Sequence, residues 1–151
     1  MASFKDLAGN EWTPAVTVAA VKRVRSELDV DLLDLQEGAV LQRLATDHVL
    51  LVDVIYVICK DQADRNGITD ADFGANMRGD ILQAATDAFL EELALFFPRQ
   101  KREVLLSMLK KFRTMESMAM DRMKEVLQDE KLERDFQDAL AAEGLGDISG
   151  S

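Results

Sequence analysis

The sequence predicts a mainly α protein: a helical bundle with a small N-terminal β-hairpin and a long C-terminal helix. Three observations predict it. From Val18 onward apolar residues recur at spacings of three and four, the period of a helix with one buried face. Outside 66–79, Gly, Asn and Pro interrupt that pattern only at wide intervals, which leaves helices long enough to pack. Ahead of it, residues 1–16 hold two short runs around a Gly-Asn turn, the pattern of a hairpin. At 151 residues the chain is long enough for one domain with a proper core and too short for two ordinary ones.

In the hairpin, Ser3-Phe4-Lys5-Asp6 and Glu11-Trp12-Thr13 flank Leu7-Ala8-Gly9-Asn10, and Pro14 ends the second strand or keeps it at an edge. A lone hairpin is marginal in water, so this one must lie on the helices or pair with another chain. The helical domain is expected over 17–143. Thr17 is the predicted N-cap of a helix carrying Val18, Val21, Val24 and Leu28. Asp29-Val30-Asp31 interrupts it, Leu32, Leu33 and Leu35 form a buried linker, and Gly38 precedes a short helix through Val40, Leu41 and Leu44. Asp47 to about Asp61 is apolar nearly all round. Its β-branched content would suit a strand, but its length favours a helix in the middle of the bundle. Asn66-Gly67 stops that run, and Thr69 with Asp72 forms a capping box for a short helix carrying Phe73 and Met77. Gly79 breaks the chain again. Asp80 then caps a helix through Leu82, Ala85, Phe89, Leu93 and Phe96, which Pro98 ends.

The long helix follows, over about 99–128, with no internal Gly or Pro. It holds five of the chain's seven methionines: Met108, Met115, Met118, Met120 and Met123. Leu105, Met108, Phe112, Met115, Ala119, Met123 and Val126 step by three and four, so the helix offers a continuous seam. Methionine is unbranched and polarizable, so such a face either fills an irregular core or repacks against partners, including another copy of the chain. As a partner surface it comprises Met108, Phe112, Met115, Met118 and Met123, with Arg99, Lys101 and Arg102 at its start. Those three belong to a block, 99–113, with six basic residues against one acid. The block either caps the carbonyl end of the helix before Pro98 or docks an acidic surface. Asp129 starts a last helix through Leu132, Phe136 and Leu140, Gly144 ends it, and a flexible tail is expected over 144–151.

The net charge of -10 argues against general nucleic-acid binding, where a basic surface supplies most of the affinity. It suits a chain that repels its own copies until a specific contact overrides the repulsion. A single cysteine, Cys59, permits no internal disulfide and points to a reducing cytoplasm. The opening Met-Ala-Ser-Phe-Lys-Asp lacks an apolar signal core, and no stretch approaches a membrane span, so neither export nor membrane insertion is expected.

No catalytic, cofactor or metal site is expected either. Asp64 to Asp70 has the look of a calcium loop, but aligning Gly67 with the required glycine puts Gln62 at the first ligand position and Phe73 where a bidentate Glu belongs. His48 is the only histidine and has no Ser or Cys at recognisable spacing, so neither a triad nor a zinc site can be assembled around it. Glu91 and Glu92 are adjacent on one helix and point about 100° apart, which is no carboxylate pair.

The order of features from Phe4 to Pro98 resembles a known family. Phe4-Lys5-Asp6 and Gly9 to Trp12 come first, then a Val-rich helix from Thr17 and Asp31-Leu32-Leu33. The apolar Val52–Cys59 run follows, then Gly67-Ile68-Thr69 with Phe73, and last Ala88-Phe89-Leu90-Glu91-Glu92-Leu93 running into Phe96-Phe97-Pro98. This pattern, over two-thirds of the chain, resembles the tail assembly chaperones of long-tailed bacteriophages and related prophage elements. The resemblance implies a non-catalytic, mainly helical protein of the bacterial host cytoplasm. It would bind the tape measure protein, keep it soluble, help recruit tail tube protein and be absent from the mature virion. The family supplies no site residue. Two other functions fit the composition: a structural tail or neck protein retained in the virion, and an acidic adaptor for a host protein.

Overall fold

The computed structural model describes residues 2–35 and 38–150, with side chains described as far as residue 142. Two strands and seven helices occur among the described residues, in the predicted mainly α architecture. By compactness the chain divides into two units, Met1–Leu106 and Ser107–Ser151.

In the first unit, β1 (Phe4–Lys5) pairs antiparallel with β2 (Glu11–Trp12), Phe4 opposite Trp12 and Lys5 opposite Glu11. Strand alternation sends Phe4 and Trp12 inward and leaves Lys5 and Glu11 exposed. The turn closes on Gly9 at φ 85°, a left-handed conformation that glycine reaches without steric cost. The hairpin lies on the chain's own helices. Trp12 is fully buried, edge-on to Phe73 with ring centroids 4.9 Å apart, and Phe73 in turn meets Tyr56 at 5.4 Å. The Leu7 amide donates to the Asn76 carbonyl at 3.1 Å, and the Ala2 amide donates to the buried Glu92 carboxylate at 2.8 Å.

Helix α1 (Val18–Leu28) starts on the predicted cap, with Thr17 accepting from the Ala20 amide, and ends where Asp29 turns left-handed at φ 54°. Its buried line is Ala20, Val21 and Val24, while Val18 in the first turn stays exposed. Leu32 is buried but Leu33 is not, so the linker is only partly covered. Helix α2 (Ala39–Thr46) buries Leu41 and Leu44. Asp47 caps α3 (His48–Ile58), which touches α1 and α2 and is central to the bundle as its composition predicts. Val49 is the exception, exposed at the solvent side of its first turn.

The predicted 47–61 helix does not run through. At Cys59, with ψ near 8°, the backbone leaves the α conformation and α4 (Lys60–Arg65) begins. No Gly or Pro marks that break. Gly67 then turns at φ 66°, and both halves of the Thr69–Asp72 capping box are made before α5 (Asp70–Ala75). Asp80 is not the cap of α6 (Asp80–Phe96). Gly79 takes that position at φ 59° and ψ -132°, a conformation costly to any residue with a Cβ, and Asp80 sits in the first turn. There its charge faces the positive end of the helix. Both α5 and α6 pack on α3, and β1 lies along α6.

Helix α7 spans Arg99–Gly150 and crosses Asp129 without a break. An Asp inside a helix costs at most about 0.7 kcal/mol relative to Ala, too little to end one where neither Gly nor Pro intervenes. The backbone also continues past Gly144, and the tail expected over 144–151 lies outside the residues whose side chains are described.

Candidate functional site

The partner surface predicted on the long helix divides into a covered start and an exposed remainder. At the start, the Arg102 amide donates to the Pro98 carbonyl at 2.8 Å, and its guanidinium Nη2 donates to the Phe97 carbonyl at 3.2 Å. Phe97 is the C-cap of α6, so Arg102 satisfies a carbonyl at that helix end, as the capping alternative predicts. The Arg102 Nε is buried without a hydrogen-bond partner. Arg99 pairs instead with Glu103 one turn on, at 3.4 Å with both side chains largely exposed, a contact worth well under 1 kcal/mol. Lys101 is exposed.

Burial then fades along α7. Leu105 and Leu109 are buried, Met108 and Phe112 are half-buried, and every described residue from Arg113 to Ala142 is exposed. Met115, Met118 and Met123 are 66%, 60% and 57% exposed. At about 100° per residue, Met115, Ala119, Met123 and Val126 share one face with Phe112, whereas Met118 lies about 100° round from its centre. The structure therefore gathers four of the five predicted apolar residues, Met108, Phe112, Met115 and Met123, and sets Met118 apart.

Sequence reasoning missed the extent of this surface. Leu127 flanks this face on the side away from Met118, and Leu132, Phe136 and Leu140, assigned to a separate last helix, are exposed on α7 itself. The absence of any Gly or Pro between Gln128 and Leu132 was the available signal. These last three fall along a line displaced by about 100° from the Met face, on the side of Met118. The exposed apolar side chains of α7 therefore form two lines along the helix, one through Met115 and Met123 and one through Phe136. Full burial of a Met, Leu or Phe side chain contributes about 1.5–3 kcal/mol before the costs of association.

Elsewhere the polar groups serve the fold. Asp6, buried in the hairpin, accepts from the Trp12 indole Nε1 at 2.9 Å and from the Asn10 amide and side chain at 2.9 and 3.1 Å. Burial alone would raise its pKa, but these hydrogen bonds outweigh burial and hold the carboxyl below its ordinary value. Asp53 shifts the other way, raised by burial and by the neighbouring charges of Asp70 and Asp47. Cys59 is buried and its thiol is pushed up to about 12, which keeps it protonated and unreactive at neutral pH. Gln62, at the first position of the apparent calcium loop, donates its side-chain amide to the Glu11 carbonyl. Among the described residues no group of three or more His, Cys, Asp or Glu is placed to hold a metal ion, and no helix is long and apolar enough to cross a membrane.

No family model, curated protein or solved structure matches the chain.

Proposed function

We propose that this chain is a non-catalytic assembly chaperone that holds a helical client on the exposed face of α7, and that its client is the tape measure protein of a long-tailed bacteriophage. The observation that carries this is the run of uncovered Met, Val, Leu and Phe side chains from Met115 to Leu140 on one long helix. A helix exposing that much apolar surface gains most of its stability when a second helix covers it. Flexible methionines let one face accept successive segments of a long client. The resemblance over Phe4 to Pro98 supplies the identity of the client and of the tail tube protein recruited to it. On this reading the protein acts in the bacterial host cytoplasm and leaves before the virion matures.

Co-expression with the long helical protein encoded beside it tests the proposal. The client should be soluble with this chain and insoluble without it. Equal insolubility in both cases rejects the proposal, and recovery of this chain from purified virions by mass spectrometry points instead to a retained structural component.

A further inference from the structure

Between Phe112 and Val126 the apolar stripe on α7 is symmetric in its spacing, while Met108 before it is half-buried and outside the symmetric part. Met115 and Met123 lie four residues to either side of Ala119, and Phe112 and Val126 lie seven to either side. Such a stripe reads the same in both directions, which is what a two-fold interface requires of a helix that meets an antiparallel copy of itself. Ala119 has the smallest side chain in the stripe, so two helices crossing there approach most closely at the centre.

The charges are complementary under the same operation. The block 99–113 has a surplus of +5, whereas 114–142 holds eight acids against four bases. Antiparallel alignment about Ala119 sets the basic end of each helix beside the acidic end of the other. By helical geometry Lys111 then lies on the same flank as Glu125 and Asp129 of the second copy, and Glu116 on the same flank as its Lys124. A parallel pair in register would instead bring the flank of Lys111 to the one carrying Arg113 of the second copy, like charge beside like.

We propose that the chain forms a two-fold dimer through α7, two copies pairing antiparallel about Ala119 with the Met115–Met123 stripe as the seam. The net charge of -10 on each copy opposes indiscriminate association, so the matched ends of α7 select this contact over others. The pairing does not depend on the identity of a client. Where the proposed client binding also holds, a client helix competes with the second copy for one stripe.

Two measurements on the full chain test the dimer. Sedimentation equilibrium at micromolar concentration should return about twice the 16.8 kDa chain mass. Lys111→Glu, at an exposed position, should weaken the dimer at least tenfold, and adding Glu125→Lys and Asp129→Lys in the same chain should restore it. Phe112→Cys and Val126→Cys chains, mixed and exposed to oxidised glutathione, should cross-link to each other and not each to itself. Cys59 is buried and does not compete. Trp12 fluorescence, which reports the Met1–Leu106 unit, shows whether each variant is folded. A single-chain mass at every concentration overturns the proposal, as does cross-linking of each variant to itself with none in the mixture. No client is present in either measurement, so failure here leaves the proposed client binding standing.

Discussion

At the scale of single residues, the bond between Asp6 and Trp12 closes the hairpin on itself and fixes the indole that packs on the core. The indole packs on Phe73 while its N–H neutralises part of a buried carboxylate. Trp12→Phe removes the donor and also leaves a smaller ring in a fully buried site, so it should cost about 3 kcal/mol or more, read as a lower urea midpoint at unchanged slope. The depressed pKa of Asp6 also has a pH signature. An acid with a lower pKa in the folded state stabilises the fold fully above its ordinary value, and that contribution is lost as pH falls through the depressed one. The stability difference between the wild type and Asp6→Asn should therefore be constant near neutrality and shrink below about pH 4, in urea titrations at stepped pH. Asp53, with its pKa raised, contributes in the opposite sense: its share of stability improves as pH falls toward its ordinary value.

At the scale of elements, what was legible in the sequence is what local chemistry decides. Thr17 and Thr69 cap helices because a side-chain oxygen before an apolar run has one obvious use, and Asp47, read as the first residue of its helix, caps it in the same way. Thr69→Ala should cost about 1 kcal/mol, checked by urea unfolding, since it removes one half of a reciprocal pair. Gly67→Ala, at φ 66° with open space around it, should cost about 1–2 kcal/mol from backbone strain alone. Other features were illegible for a physical reason. The break at Cys59 has no Gly or Pro to announce it, and it lies in an apolar stretch where packing sets the backbone. Asp129 has the form of a cap, yet intrinsic preference there is too weak to end a helix. Whether the Met face was core or surface depended on what lies beside α7, which periodicity does not encode. Arg102 was legible only as one of three candidate caps, because the choice among Arg99, Lys101 and Arg102 is a matter of reach to the Phe97 carbonyl.

At the scale of the whole molecule, a well-packed unit and a bare helix share one chain. Met1–Leu106 buries Trp12, Phe73, Phe89 and Leu93 completely, whereas the described side chains beyond Phe112 are all exposed. Substitutions in the two parts should therefore separate. Phe89→Ala should cost about 3–5 kcal/mol and lower the thermal midpoint. Substitutions at the exposed Met115 and Met123 should leave the midpoint of the compact unit unchanged and act on association alone. The most direct measurement is client solubility on co-expression with the Met115→Glu, Met123→Glu double variant, with the thermal midpoint of the purified variant followed by Trp12 fluorescence. The account predicts that the client precipitates while the midpoint stays at the wild-type value. A client that remains as soluble with the double variant as with the wild type would contradict it.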